Sequence, residues 1–423
     1  MSSHAAPRHR AISVGVLLRD RPEQLLAVLV LGLVCFGLVM VYSASSAPAI
    51  LSQRDPLETV TRQALYAAVG LGAYLLALRL RPATLRGLGA IGLAVSGVLL
   101  LAVLVPGIGM LVNGSRRWIP LGPVQMQPSE LAKVALALWI AQAVARDPRR
   151  LVARGGLLPY VAVTAVLAAL IVMEPDLGTA LGLVAVALAM LVAAGARPGR
   201  LAAALGAGAL LATVAIALEP YRRERLLAFL DPWSDPQGAG FQIVQAQVAL
   251  GSGGPFGVGL GNGIQKANYL PEAHTDMILA TVGEELGVVG VVLLMLAFGA
   301  FAVAGYRIAL RARDLHGQVL AVGLTTLVVS QAIVNMGAVL GFLPLTGVPL
   351  PFVSFGGSSL VVLLFSAGIL VNIGRRARHR AVRLRLVPGR DAQGDPSGDR
   401  GGRDGRARHA RARRGGGAVG ARG

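Results

Sequence analysis

Ten separate runs of apolar residues constrain this chain more than any other feature of its sequence. The runs cover residues 24–43, 63–79, 85–105, 129–145, 157–173, 177–195, 200–218, 276–305, 317–342 and 357–373. Each is at least 17 residues long, and an α-helix needs about 20 residues, or as few as about 17, to cross the hydrocarbon core of a bilayer. Inside lipid the backbone must satisfy its own hydrogen bonds, which favours helices. The sequence therefore predicts an all-α integral membrane protein with about ten transmembrane helices.

The distribution of charge predicts the orientation. The formal net charge is +19, with 40 basic residues among 423. Most of them lie in short loops on the side of the two termini and in the C-terminal tail, so the charge records topology and does not indicate a nucleic-acid partner. We expect a multi-pass protein of the cytoplasmic (inner) membrane with both termini in the cytoplasm. The single cysteine, Cys35, excludes a disulfide within the chain.

Three parts follow along the chain. Residues 1–23 form a predicted cytoplasmic N-terminal segment, and residues 24–374 form the ten-helix membrane domain. Residues 375–423 are rich in Arg and Gly and lack an apolar period, so we expect a disordered cytoplasmic tail near anionic membrane lipid. The largest extracytoplasmic loop, residues 219–275, is predicted between helices 7 and 8.

Irregular segments on the predicted outer side are rich in glycine and proline. Residues 240–250 are apolar but too short to span, which predicts a helix that lies in the interface or re-enters the membrane. Residues 251–263 hold seven glycines; close helix packing or a flexible gate explains them better than a phosphate cradle. Residues 342–359 are rich in proline and glycine and are expected to form an irregular, partly buried loop. Lys266 is expected to be a solvated loop charge.

Asp276 is the candidate catalytic base. It lies where the outer loop gives way to an apolar run that still carries Glu284 and Glu285. A carboxylate in a membrane helix costs about 2.5–3.5 kcal/mol on insertion scales, so such residues are usually functional. With Thr275 as the N-cap, Asp276 would begin the helix; the alternative is that it only caps the helix. His274 is more often a structural hydrogen-bonding residue than a base.

Three cations on the outer side oppose the topological trend. Arg116, Arg117 and Lys133 fit an anionic, phosphate-bearing head group. Glu130 and Lys133 are three residues apart on one helix face, so the alternative is a structural ion pair beside an interfacial Trp118. Both interpretations remain open from the sequence.

Glu174 and Asp176 lie in a very short turn between two helices. Helix capping explains them without any function. With Asp276, however, they could hold a divalent cation, Mg²⁺ or Mn²⁺, through oxygen ligands. We expect no organic cofactor.

Seven separated motifs resemble the SEDS family of peptidoglycan glycosyltransferases, named for shape, elongation, division and sporulation. They are GSRRWIPLG, QPSELAK, MEPDLGTA, DPWSDPQGAGFQIVQAQVALGSGG, LPEAHTD, GEELG and GVPLPFVSFGGSS, within residues 25–374. The sequences of these motifs are closer to those of the division branch than to those of the elongation branch. One departure is Met277, where the family usually has Phe, which affects packing more than chemistry.

The resemblance implies polymerisation of lipid II into glycan strands outside the membrane, with undecaprenyl pyrophosphate as the leaving group. Asp276 matches the family's essential carboxylate. The residues expected to bind substrate are Arg116, Arg117, Trp118, Glu130, Lys133, Glu272, His274 and Ser358. The expected partners are a class B penicillin-binding protein, which is a transpeptidase, and other division proteins at the septum. The alternatives are a lipid II flippase, a polymerase for cell elongation, and a scaffold whose acidic residues are incidental.

Overall fold

The computed structural model describes residues 21–386, except residues 113, 123, 219, 268 and 269. Within this range the chain forms twelve α-helices and three short strands. The helices are α1 Pro22–Leu51, α2 Glu58–Arg79, α3 Pro82–Leu104, α4 Pro128–Arg146, α5 Leu158–Met173, α6 Leu177–Ala193, α7 Pro198–Leu218, α8 Pro220–Leu230, α9 Phe241–Gly253, α10 Ile278–Arg311, α11 Leu315–Val339 and α12 Ser358–Leu386. The strands are β1 Met110–Val112, β2 Ser115–Leu121 and β3 Val124–Met126.

A helix lies over each of the ten predicted apolar runs, namely α1 to α7 and α10 to α12. In the described part of the chain, five are long and apolar enough to cross a membrane: α1, α3, α10, α11 and α12 as far as Arg378. Helices α5 and α6 are shorter and apolar. Many large apolar side chains are exposed, as lipid contact requires, among them Val28, Ile91, Val98, Leu293 and Leu296. The all-α, multi-pass fold is confirmed; the count of ten spans stays a prediction.

Helices α4 and α11 form the centre of the bundle. Both are buried along most of their length. Helix α4 packs against α3, α6 and α11, and α11 also packs against α6 and α10. Helix α10 completes this centre by packing against α1 and α9. These central helices therefore fix the positions of every segment attached to their ends.

A small antiparallel sheet precedes α4 and was not predicted. Its strand order is β1-β2-β3. The backbone N–H of Gln125 in β3 donates to the hydroxyl of Tyr66 on α2 at 2.8 Å. This bond ties the sheet to the bundle, so the residues of β2 have defined positions beside α4.

The 219–275 segment contains two helices, α8 and α9. Helix α9 confirms the short helix predicted over residues 240–250, and it packs against α10. The glycines after it make close backbone contact with α10: the N–H groups of Val258 and Gly259 donate to the carbonyls of Glu284 and Glu285 at 3.0 Å. At Gly287, α10 is kinked, with φ 68° and ψ −166°. Close helix packing is therefore present, whereas the role as a flexible gate stays a prediction.

Helix α12 continues beyond Gly374, where the sequence places the start of the tail, and ends at Leu386. Arginine favours helices, and two arginines are held by side chains. The Nε of Arg376 donates to Asn372 Oδ1 at 2.6 Å, and Arg378 lies 3.6 Å from Glu23. The tail therefore begins later than predicted. The rest of it, and residues 1–20, lie outside the described residues.

Candidate active site

Asp276 lies in a turn that leads into α10. The helix begins at Ile278, with Met277 as a cap residue whose side chain makes no capping bond. The prediction that Thr275 is the N-cap is therefore wrong. Its hydroxyl bonds instead to the carbonyl and the carboxylate of Glu272, at 3.1 and 2.8 Å. Asp276 is thus held just before the helix, in a turn that the preceding residues close.

A narrow crevice surrounds Asp276. It is lined by residues of the turn, of α11 and of the irregular loop after α11: Asp276, Met277, Asn335, Ala338, Leu345, Thr346, Gly347 and Val348. The Nδ2 of Asn335 donates to the carbonyls of Asp276 and Val348, at 2.7 and 2.9 Å. One buried amide thus fixes the turn and the loop against each other. The irregular, partly buried loop predicted over residues 342–359 is confirmed.

His274 packs in the wall of this turn. Its ring lies 5.7 Å from the ring of Phe355, and its carbonyl accepts a bond of 2.9 Å from the Phe355 backbone N–H. Burial lowers the pKa of His274 below the usual 6.5, and the negative charge of Glu272 opposes this only in part. His274 is therefore neutral near pH 7 and packs in the turn, which agrees with a structural role. Glu272 itself is exposed.

Arg117 joins β2 to the turn between α5 and α6. Its Nε donates to the carbonyl of Glu174 at 2.9 Å, Nη2 donates to the carbonyl of Pro175, and Nη1 lies 4.0 Å from Asp176 Oδ2. Because side chains alternate along a strand, Arg116 and Trp118 lie on the other face of β2. The predicted cation pair is thus divided between the two faces of the sheet.

Asp176 is the N-cap of α6, which confirms the capping interpretation. Its Oδ1 accepts a bond of 3.0 Å from the Thr179 N–H, and Oδ2 accepts bonds of 2.9 Å from the Thr179 hydroxyl and 3.2 Å from Gln127 Nε2. The N–H of Gln127 in turn donates to Ser358 Oγ at 3.0 Å. Gln127 therefore links the starts of α4, α6 and α12 in one hydrogen-bonded cluster.

Glu174 is fully buried, and neither of its carboxylate oxygens has a hydrogen-bond partner among the described residues. The pKa of Glu174 is raised to about 8: burial is the main cause, the negative charge of Asp176 adds to it, and the positive charge of Arg117 opposes it. Glu174 is accordingly protonated at neutral pH. A protonated carboxyl is a poor cation ligand.

The predicted metal set does not form a cage. In the described part of the chain, no three His, Cys, Asp or Glu side chains lie close enough to hold a metal ion. The oxygens of Asp176 are used in capping, and Glu174 favours its proton. These residues fit a divalent cation poorly, so no chemical step is assigned to one.

Glu130 and Lys133 form a buried ion pair at the start of α4. The Nζ of Lys133 lies 2.8 Å from Glu130 Oε1, and the two residues are 1% and 2% exposed. The second oxygen of Glu130 has no partner among the described residues. The ion pair expected as the alternative is present. A role for Lys133 toward phosphate stays a prediction, because contact with a ligand requires the pair to open.

The Asp276 crevice and the Arg117 cluster are neighbours. At Gly178, in the first turn of α6, an added Cβ would lie 2.7 Å from Thr346 Cβ and 2.8 Å from Val348 Cγ2. The loop that lines the crevice therefore packs directly on the helix that Asp176 caps. The structure thus gathers Asp276, Arg117, Asp176 and Ser358 at one end of the bundle.

The prediction that Lys266 is solvated is wrong. Lys266 is 2% exposed, and its Nζ lies 2.5 Å from Glu285 Oε1, 3.0 Å from Ser43 Oγ and 2.8 Å from the carbonyl of Gly261. The sequence contained a signal for this pair, because Glu285 lies in the apolar run of α10 and a buried glutamate needs a cation as its partner. Lys266, in the neighbouring loop, is that cation. Asn335 was also missed, although it is an amide inside an apolar run.

The comparisons with known proteins agree on one family. The family model described as Cell cycle protein, for FtsW, RodA and SpoVE, matches residues 23–379. A protein named probable peptidoglycan glycosyltransferase FtsW, from Geobacter metallireducens, is 42% identical over 360 residues, which is 85% of this chain and 96% of the relative. The stage V sporulation protein E of Bacillus subtilis is 39% identical over 363 residues, which is 85% of this chain and 99% of the relative.

Solved structures give the same result. A chain from a structure described as "Structural coordination of polymerization and crosslinking by a peptidoglycan synthase complex" is 32% identical with a TM-score of 0.70. It matches over 83% of this chain and 97% of that one. The rod shape determining protein RodA of Thermus thermophilus is 30% identical with a TM-score of 0.62, over 83% and 96% of the two chains. The chain therefore belongs to the FtsW/RodA/SpoVE family, which is the SEDS family that its motifs indicate.

Proposed function

We propose that this protein is a peptidoglycan glycosyltransferase that polymerises lipid II into glycan strands during cell division. Relatives named FtsW, at 42–43% identity over most of the chain, are named peptidoglycan glycosyltransferases. The observation that carries the proposal is the position of Asp276, a carboxylate in a crevice at the end of the helical bundle, beside the loop that packs on the helix capped by Asp176, near Arg117.

Asp276 acts as the general base. It removes the proton from the 4-hydroxyl of an acceptor sugar, and that oxygen attacks the anomeric carbon of a donor. The bond from this carbon to the pyrophosphate oxygen breaks, and undecaprenyl pyrophosphate carries away the electron pair. A single displacement of this kind inverts the anomeric centre. The Asn335 amide, which holds the backbone carbonyl of Asp276 at 2.7 Å, keeps the base in place.

The developing negative charge on the pyrophosphate needs cations. Arg117 is the best placed, because it lies in the cluster beside the loop that lines the crevice. A guanidinium has five donors, and Arg117 can offer those that do not hold the α5–α6 turn. Arg116 and Trp118, on the other face of β2, would bind the sugar and lipid portions of the substrate. Lys133 would stabilise the phosphate only if its ammonium group left the Glu130 carboxylate and bound a phosphate oxygen instead.

The proposal includes a partner and a side of the membrane. A class B penicillin-binding protein would crosslink the strands, a pairing supported by the description of a solved relative as part of a peptidoglycan synthase complex. The Asp276 end of the bundle would face outward at the division septum, where exported lipid II is available. The distribution of arginines supports this orientation.

Polymerisation of lipid II by the purified protein tests the proposal, with and without a class B partner. Asp276→Asn should lower the rate by about 10² to 10⁴, as expected for loss of a general base. Glu224→Gln removes an exposed carboxylate of the same 219–275 segment and should leave the rate unchanged. Both variants should purify as monodisperse protein. If Asp276→Asn keeps more than about a tenth of the rate, Asp276 is not the base. Wild-type protein that moves lipid II across a bilayer without forming polymer would favour the flippase.

A further inference from the structure

A second cavity lies at the other end of the bundle from Asp276. It has a volume of about 320 Å³, within the range of small-molecule sites. The start of α3, the end of α4 and the start of α11 form its walls. The polar side chains that line it are Arg86, Gln142, Arg146, Asp314 and His316.

Helix α11 connects the two ends. Asn335 contacts the Asp276 turn, whereas Asp314 is the N-cap of the same helix. At 1.5 Å per residue these positions are about 30 Å apart, which is the thickness of a hydrocarbon core. The cavity therefore lies at the opposite membrane boundary from the Asp276 crevice.

The cavity combines exposed cations with buried polar side chains. Arg86 and Arg146 are exposed, while Gln142 is 8% and His316 is 3% exposed. The Nε2 of His316 has no hydrogen-bond partner in the described part of the chain. A buried ring nitrogen without a partner is rare in native structures and points to a group that completes its bonding. Two guanidinium groups beside it select a group of negative charge.

The one carboxylate in the cavity is already in use. Asp314 Oδ2 accepts from the N–H of Gly317 at 3.4 Å and from Arg86 Nη2 at 3.4 Å. Its charge offsets part of the charge of Arg86, and Arg146 has no ion-pair partner among the residues that line the cavity. The balance of the site is therefore cationic, and the start of α11 is capped by the protein itself.

We propose that this cavity binds the phosphate of an anionic ligand at the membrane boundary opposite the Asp276 crevice. Arg86 and Arg146 contact the phosphate oxygens, and His316 bonds to a polar atom deeper in the cavity. Basic pockets between transmembrane helices are suited to phospholipid head groups. Two sources share this chemistry: the head group of an anionic phospholipid and a soluble phosphate compound. Because the cavity is open where helices meet the bilayer boundary, either source can reach it.

Arginine footprinting of the wild-type protein tests the site without any risk of misfolding. Protein in nanodiscs is treated with phenylglyoxal, and modification of Arg86, Arg146 and Arg149 is measured by mass spectrometry. Arg149 is exposed close in sequence to the end of α4 but does not line the cavity. Phosphatidylglycerol, compared with phosphatidylcholine, should slow modification of Arg86 and Arg146 by about fivefold more than that of Arg149. Such selective protection supports a lipid head group.

The same measurement in phosphatidylcholine nanodiscs with added pyrophosphate distinguishes the second source. Selective protection by pyrophosphate alone supports a soluble phosphate ligand. Equal modification of the three arginines under every condition overturns the proposal.

Paired variants give an independent measurement. Arg86→Gln with Arg146→Gln should reduce phosphatidylglycerol retained in native mass spectrometry by about fivefold or more. The control, Arg81→Gln with Arg149→Gln, removes the same charge from exposed arginines outside the cavity. Equal losses in the two pairs would show general surface attraction and would overturn the site.

Discussion

Removing Lys266 should destabilise the fold more than removing any exposed arginine. In the structure its Nζ contacts Glu285 at 2.5 Å, and both residues are almost completely buried. After Lys266→Ala, the Glu285 carboxylate keeps, among the residues that the structure describes, only the hydroxyl of Ser43, at 2.7 Å, as a hydrogen-bond donor. The substitution therefore leaves a charge in the core with one neutral donor.

The magnitude follows from burial. Breaking a buried ion pair by removing one partner costs about 3–5 kcal/mol, because the remaining charge is uncompensated. The matched control is the pair of Arg62 and Glu58, 2.7 Å apart with side chains 59% and 48% exposed. An exposed pair contributes at most about 1 kcal/mol. Arg62→Ala should thus have at least about threefold less effect than Lys266→Ala, although the two ion pairs have similar lengths.

A double-mutant cycle isolates the pair. Lys266→Met with Glu285→Leu removes both charges, so it should recover a large part of the stability lost in Lys266→Met alone. The free energy of unfolding is measured by denaturant titration of the protein in mixed micelles. If Lys266→Ala and Arg62→Ala shift the midpoint equally, the buried pair contributes no more than a surface pair. That outcome would falsify the assignment of Lys266 to the core.

Two further predictions concern pH and topology. Because burial raises the pKa of Glu174 from the usual 4.5 to about 8, the folded state holds its proton more tightly than the unfolded state. The stability that this proton contributes should be complete below pH 4.5 and should fade as the pH rises to about 8. In Glu174→Gln, the melting temperature should therefore depend less on pH over this window. An unchanged pH dependence would contradict the raised pKa. In a Cys35→Ala background, an impermeant thiol reagent should label Ser252→Cys but not Ala153→Cys in intact spheroplasts. The opposite pattern would place the Asp276 end in the cytoplasm.

The helices were predictable from the sequence because apolar length leaves few alternatives in a membrane. The small sheet before α4 was not predictable in the same way. Its strands Met110–Val112 and Val124–Met126 are too short to show an alternating pattern, and turns set their pairing. The end of α12 was predicted too early, at Gly374, because a run of arginines has no apolar pattern. Arginine nevertheless favours a helix and can extend one that apolar residues have begun.

The location of the candidate site residues was predictable, but their pairing was not. The predicted topology put Asp276, Arg117 and Asp176 on one side of the membrane, and the structure places them at one end of the bundle. The sequence could not show that Lys133 is committed to Glu130, because an i, i+3 pair and a phosphate site need the same residues. The structure shows the ion pair, with Lys133 only 1% exposed, while the phosphate role stays a prediction.

Buried polar side chains are what allow irregular backbone to exist at the level of the helices. The kink of α10 frees backbone groups near Gly287, and the glycine-rich segment supplies their partners, as when Val288 N–H donates to the carbonyl of Gly254 at 3.0 Å. Glu284 holds that segment in return by accepting from the N–H groups of Ile264 and Gln265, at 2.7 and 3.1 Å. Non-helical backbone is tolerated at membrane depth only where protein or a wet cavity satisfies it. The two adjacent glutamates of α10 therefore have separate structural roles: Glu284 bonds to loop backbone and Glu285 neutralises Lys266. Both roles fix the loop that leads to Asp276, which explains the presence of two acidic residues in a membrane helix, eight and nine residues after the candidate base.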